Sequence, residues 1–213
     1  MKRLFNPVSN ENGFALVIAM MIMIILTMLG IFATNTSIME LQISGNDRLA
    51  KEAFYRADGG TEAGIVLTEE NMSCPNGFRS QFSPIRIGGV DVFEKDFVSN
   101  TKLQDINGAG QGVTPAEVPS DTVRSIRIPT DPANRSDTPP HTNLAVWSTG
   151  SELGTGSAIQ MVSGYEGVGK GAASGGGRKL MKIASQHIGT RQTEAKIILE
   201  WRHVIGQEGT CNY

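Results

Sequence analysis

The sequence predicts an α+β protein, with one long N-terminal helix packed on an antiparallel β-sheet that carries long loops. Three observations predict it. Phe14 to Ala33 is a run of twenty residues without a single charge. From Ile38 onward, apolar and small residues recur at spacings of three and four. Beyond Cys74-Pro75 the apolar period changes to two.

The first element follows from length. A helix rising about 1.5 Å per residue crosses the roughly 30 Å hydrocarbon core of a bilayer in about 20 residues. FALVIAMMIMIILTMLGIFA is long enough to span, with only Thr27 and Gly30 interrupting its apolar surface. A cleavable secretory signal carries a shorter apolar core and a small-residue junction on its far side. Here the best junction lies on the near side, between Gly13 and Phe14. Cleavage there leaves the apolar helix on the mature chain. Lys2 and Arg3 precede the span and no Lys or Arg follows until Arg48. The positive-inside rule therefore predicts a cytoplasmic N-terminus, with everything after Ala33 outside.

The helix is expected to continue to about residue 70. Leu49, Ala53, Ala57, Gly60 and Gly64 form one row, with Ala50, Phe54 and Ile65 as a companion, while Arg48, Lys51, Glu52, Arg56 and Glu62 occupy other faces. A glycine inside a helix costs about 1 kcal/mol, so a kink or break is expected at Gly45-Asn46 or Gly59-Gly60.

The strands come next. Ile85 to Val98 alternates well enough for one, with Gly88-Gly89 as bulge or turn. Thr122 to Ile128, Leu144 to Trp147 and Ala158 to Val162 are shorter candidates. Residues 99–121 and 129–143, rich in Gly, Pro, Asp, Asn and Thr, read as loops, and Gly164 to Gly177 as a glycine-rich bridge. The clearest hairpin pairs Lys179–Ile188 with Glu194–Val204 around a turn at Gly189–Thr193. Ala195, Ile197, Leu199 and Trp201 share one face of its last strand, and Lys196, Glu200 and Arg202 the other.

Composition narrows the function classes. A net charge of −2 over 213 residues gives no electrostatic case for nucleic acid as the main partner. The chain holds two cysteines, Cys74 and Cys211, so one intramolecular bridge or two free thiols are the alternatives. The extracytoplasmic placement favours the bridge.

Motifs for catalysis fail on inspection. Gly164-Tyr-Glu-Gly-Val-Gly-Lys170-Gly171 has the spacing of a phosphate-binding loop, but Gly171 replaces the Ser/Thr that would hold magnesium. The AASGGG that follows is a poor helix start. His141 falls in a Pro-rich loop, and His187 and His203 fall on candidate strands, facing each other across the hairpin as a potential metal pair. None has a carboxylate or cysteine at ligand spacing. No Gly-x-Ser-x-Gly elbow is present. An enzyme, a metal site and a cofactor are not expected. Arg178, Lys179, Lys182, Arg191, Lys196 and Arg202 form a basic group in the last hairpin. A solvated face is its simplest reading, with DNA or an acidic neighbouring subunit as alternatives. The acidic stretch from Asp91 to Asp137 offers the complementary sign for head-to-tail contact.

NGFALVIAMM, residues 12–21, resembles the processing site of type IV prepilins, where a leader peptidase cuts after glycine and methylates the new N-terminal phenylalanine. The longer stretch GFALVIAMMIMIILTMLGIFATNTSIMELQISGNDRLAKEAFYRADGG is similar to PilX-type minor pilins. Those share an apolar run, a Thr/Ser-rich exit, a Glu, a Gly-Asn pair and an Ala/Phe-rich helix. The resemblance covers roughly the first 65 residues. It implies a pilin-like fold divided into a leader (1–13), a transmembrane and filament-core helix (14–33), an amphipathic continuation (34–72) and an extracytoplasmic β-rich domain (73–213). It also implies cleavage between Gly13 and Phe14, N-methylation of Phe14, and filament-core contacts through Ala15, Ile18, Ala19, Gly30 and Ala33. Major pilins carry a glutamate at the fifth mature position, where this chain has Ile18. Its absence implies a subunit of the tip or the initiating complex. The implied partners are other pilins, major and minor, the prepilin peptidase, the assembly machinery and a tip adhesin. The implied location is the inner membrane, then the pilus. A type II secretion pseudopilin and a helix-tethered extracytoplasmic enzyme or ligand-binding domain are the competing readings.

Overall fold

The computed structural model describes residues 12–74, 76–79, 84–133, 135–153, 177–205 and 209–213. The chain divides into two compact units, Met1–Arg48 and Leu49–Tyr213. One helix, α1 (Asn12–Met72), runs through the boundary without interruption. The break expected at Gly45-Asn46 or Gly59-Gly60 does not occur. The helical bonds around each glycine are kept, and Gly60 serves close packing instead.

In the first unit α1 is exposed along its described length, consistent with an apolar surface that has no in-chain partner among the described residues. The hydroxyls of Thr27, Thr34 and Thr36 donate to the carbonyls of Ile24, Gly30 and Phe32 at 2.8, 2.8 and 3.0 Å. These bonds satisfy the three threonine hydroxyls without a solvent partner.

In the second unit the sheet holds six strands in sequence order, all antiparallel: β1 (Ile85–Ile87), β2 (Val90–Val92), β3 (Ile126–Pro129), β4 (His141–Leu153), β5 (Gly177–Ile188) and β6 (Glu194–Val204). The predicted strand Ile85–Val98 is instead a tight hairpin ending at Val92. Gly88 and Gly89, at φ +55° and +91°, form its turn, as a primed turn requires. The third strand begins at Ile126 rather than Thr122. β4 reaches from His141 to Leu153, well beyond the expected Leu144–Trp147, because pairing to β5 extends it through polar residues. His141 therefore sits on a strand, not in a loop. The final hairpin forms as predicted, with Thr190–Gln192 as a short 3-10 turn between its strands. The Ala158–Val162 strand and the glycine-rich segment Gly164–Gly171 lie outside the described residues.

The sheet is covered on both faces. On one, Leu67 of α1 joins Phe78, Ile85, Val92, Phe97, Ile126, Leu144, Val146, Met181 and Ile183. On the other, Ile106 and Val118, with Leu103, Val113 and Val123, pack on Ala145, Trp147 and Ala184. The segment expected only as loop at 99–121 thus closes a second core.

The helix approaches the sheet through its glycines. A Cβ at Gly64 would lie 2.7 Å from Ile183 Cγ2 and 2.9 Å from Leu144 Cδ2, and one at Gly60 would collide with Ser185 Oγ and stand 2.9 Å from Thr142 Cγ2. Ala53 and Ala57 are buried in the same row, but the companion row is buried only toward its end: Ala50 is exposed and Phe54 is 52% exposed, while Ile65 is partly buried against the main core. Gly64→Val is expected to lower the unfolding free energy by about 1–3 kcal/mol through overpacking, outweighing its better helix propensity. Thermal unfolding of the variant against wild type measures this; an unchanged midpoint refutes the tight seam.

Candidate functional site

The uncharged helix carries most of the exposed large apolar side chains among the described residues. Phe14, Leu16, Met20, Met23, Leu26, Leu29 and Phe32 are each 59–68% exposed. Ile18 is the least exposed of the large residues in that run, at 40%. Gly13 and Phe14 fall in the first turn of α1, one and two residues after its start at Asn12. At about 100° per residue, Ala15, Ala19, Gly30 and Ala33 fall within one arc of about 60°. All four are exposed, and a Cβ at Gly30 would meet nothing within 4 Å among the described residues. In-chain packing therefore does not require a small residue there.

Cys74 and Cys211 are joined by a disulfide across 137 residues of chain, with Cα atoms 4.7 Å apart. Cys74 follows the last turn of α1, so the bridge draws the C-terminal tail to the helix end. Arg79 N–H donates to the Tyr213 carbonyl at 3.0 Å, Gly209 N–H to Ser73 Oγ at 3.1 Å, and the Tyr213 ring meets Phe78 edge-on at 6.5 Å.

The charged residues behave differently from expectation. The acidic stretch from Asp91 to Asp137, which offers a complementary sign for head-to-tail contact, has two of its carboxylates, Asp91 and Asp137, paired within the chain. Asp91 is fully buried and accepts from Arg127 Nη2 at 2.8 Å and from Arg135 Nη1. Asp137 accepts from Arg127 Nη1 at 2.5 Å and Arg124 Nη2 at 2.7 Å. Both guanidinium groups lie over the Phe93 ring, at 4.6 and 5.5 Å from its centroid. A buried carboxylate requires such partners. The basic group is partly consumed in the same way. Lys179 Nζ donates to the Val98 carbonyl at 2.5 Å, Lys196 Nζ to the Pro115 and Ala116 carbonyls at 2.6 and 3.0 Å, and Lys182 pairs with Glu200 at 3.1 Å.

The three histidines do not form one cluster. His187 stands opposite Ala195 and His203 opposite Lys179, so they do not face each other across the hairpin. His141 Nε2 meets Asp121 Oδ1 at 2.6 Å, and His203 Nδ1 meets Glu69 Oε2 at 2.7 Å, beside Trp201 Nε1, which donates to Glu69 Oε1 at 2.5 Å. Among the described residues no group of three or more His, Cys, Asp or Glu could hold a metal ion. His187 is buried against Thr142 Oγ1 at 2.8 Å. Burial, with Arg56 and His141 nearby and only Glu52 opposing, pushes its pKa from 6.5 down to about 4. Its folded form resists protonation, so the unfolded chain binds more protons between those values. Stability is full above about pH 6.5 and falls as pH drops toward 4. A His187→Gln variant is expected to lose that slope. Unfolding at pH 7 and pH 4.5 for both chains measures it; equal slopes refute it.

An apolar N-terminal helix continuing into one packed on an antiparallel sheet defines an α+β protein of pilin-like arrangement. Among the described residues one helix is long and apolar enough to cross a membrane. The family model described as PilX N-terminal matches residues 12–62, which take in the apolar run and the first part of the amphipathic helix. The N-terminal region of the chain is similar to that of PilX-type type IV pilins. No curated protein and no solved structure matches the chain. The match supports the minor pilin family of the type IV pilus, whose members are structural proteins, and fits membrane anchoring and location in the pilus.

Proposed function

We propose that the chain is a minor pilin that primes a type IV pilus or enters it near its tip, and so supports adhesion, aggregation or twitching motility. The observation that carries this reading is the uncharged surface of Phe14–Ala33, exposed throughout and beginning at a Gly-Phe junction inside the PilX N-terminal match. The helix holds the subunit in the inner membrane with Lys2 and Arg3 on the cytoplasmic side. The prepilin peptidase cuts after Gly13, and Phe14 becomes the methylated N-terminus. The assembly machinery then moves the helix from lipid into a bundle of other pilins, carrying the domain to the cell surface, where a tip adhesin is the expected neighbour.

Transfer from lipid to bundle exchanges one apolar surrounding for another, so close packing must hold the bundle. The small residues Ala15, Ala19, Gly30 and Ala33 supply the face for it. Ile18 supports a tip or initiating position. A buried intramembrane carboxylate at that position would need a cationic partner, and Ile18 makes no such demand.

Mass spectrometry of the mature chain is expected to give N-methyl-Phe14 at its start. Gly13→Ala is expected to leave a heavier, unprocessed chain that does not enter pili. Normal maturation with intact incorporation in that variant overturns the proposal.

A further inference from the structure

β6 ends the sheet, and among the described residues no strand pairs with its outer edge. Natural sheets blunt long edges with charged side chains, proline, bulges or covering elements, because a bare edge templates pairing. β6 carries charges but neither proline nor bulge: Glu194–Val204 is proline-free and pairs with β5 in one unbroken register.

The hydrogen bonds fix which groups the edge presents. Gly189 N–H bonds the Thr193 carbonyl at 2.7 Å at one end of the hairpin, and Ile205 N–H bonds the Gly177 carbonyl at 3.0 Å at the other. Bonded and non-bonded pairs alternate along an antiparallel ladder. The odd-numbered residues of β6 therefore turn their peptide groups to β5. Glu194, Lys196, Ile198, Glu200 and Arg202 turn theirs out of the edge. The same residues share the face opposite α1, where Ile198 is 47% exposed and the Glu200 side chain 72% exposed.

That row is self-complementary. An antiparallel second copy related by a two-fold axis at Ile198 sets Glu194 against Arg202 and Lys196 against Glu200, each pair met twice, and Ile198 against Ile198 once on the axis. On the other face it sets Ala195 against Trp201 and Ile197 against Leu199, extending a half-buried apolar row. Neighbouring registers fail. An axis at Ile197 opposes Glu194 with Glu200, and one at Leu199 opposes Lys196 with Arg202. An axis at Lys196 or Glu200 brings each against its own copy. Opposite charges across a strand pair stabilise and like charges destabilise, so the charge order selects one register.

We propose that the β6 edge is a homodimerisation surface, where two copies of this chain pair antiparallel about Ile198 and join their sheets. The interface is isologous and closed. It does not depend on processing at Gly13 or on the pilus reading.

The test uses the purified full chain in detergent micelles, with the dissociation constant read by sedimentation equilibrium. Wild type is expected to dimerise. Arg202→Glu and Glu194→Arg are each expected to weaken the dimer about tenfold, because each reversal opposes like charges at two symmetric places. These positions are chosen because Lys196 also holds the Pro115–Ala116 loop. An equimolar mixture of the two variants restores every opposite-charge pair and is expected to associate as tightly as wild type, as is the chain carrying both reversals. A monomeric wild type overturns the proposal and leaves the edge to a different partner. A dimer that the single reversals do not weaken, or that mixing does not restore, also overturns it.

Discussion

Asp91→Ala is expected to destabilise the sheet domain by about 3–5 kcal/mol, the range for removing one partner of a buried ion pair. The cost comes less from the lost attraction than from what is left behind. Arg127 is 7% exposed, and its Nη2 would lose the carboxylate 2.8 Å away, keeping only the Arg135 carbonyl at 2.9 Å. Asp137, which still meets Nη1, is half-exposed and shared with Arg124, so it cannot replace a fully buried charge. Arg135 would lose its hold on β2, and with it the segment after β3 would lose one of its attachments to the sheet. Asp91→Asn, which keeps the shape and one acceptor, is expected to fall between the two. Thermal unfolding of the three chains at neutral pH measures the series. A loss below about 1 kcal/mol for the alanine variant would place the cluster in the class of solvated surface pairs.

Replacing both Cys74 and Cys211 by serine is expected to cost about 5 kcal/mol, from the chain entropy regained by opening a 137-residue loop. Cys74 is also 5% exposed within the main core, so a serine there adds a buried hydroxyl to the loss. The remaining attachments of the tail are a few hydrogen bonds and the Phe78–Tyr213 ring contact. They are expected to open locally before the sheet does. Limited proteolysis should therefore clip the tail of the double variant first, and thermal unfolding should give a lower midpoint than the oxidised wild type. Equal midpoints for the two chains would refute a stabilising bridge.

The long helix and the final hairpin were legible because their periods are regular over many residues. Ala195 to Trp201 alternates apart from Ile198, and the half-buried positions of β6 include all four residues of its apolar face. The pairing of β1 with β2 was half-legible: Gly88-Gly89 signalled a turn or a bulge, and only the left-handed backbone at both glycines decides for the turn. The second core was missed although its residues were in view. Leu103, Ile106, Val113, Val118 and Val123 are scattered through a segment rich in glycine and proline, and no secondary-structure period links them. Their spacing is set by the sheet they cover. The in-chain pairing of Asp91 and Asp137 is illegible for a related reason. Their partners lie 36 and 44 residues away for Asp91, and 13 and 10 residues away for Asp137, through contacts that local pattern does not encode. The apolar stretch at the N-terminus posed no such difficulty, since its exposure needs no tertiary information.

The Cys74–Cys211 bridge has a mechanical consequence. All six strands lie between the two cysteines in the sequence, so they sit inside one covalent loop. Tension that arrives along α1 and leaves through the C-terminal tail passes from Cys74 to Cys211 through the sulfur atoms. It never loads a rung of the β-ladder. A pull between those two points would stretch a covalent link while the sheet and both cores remain slack.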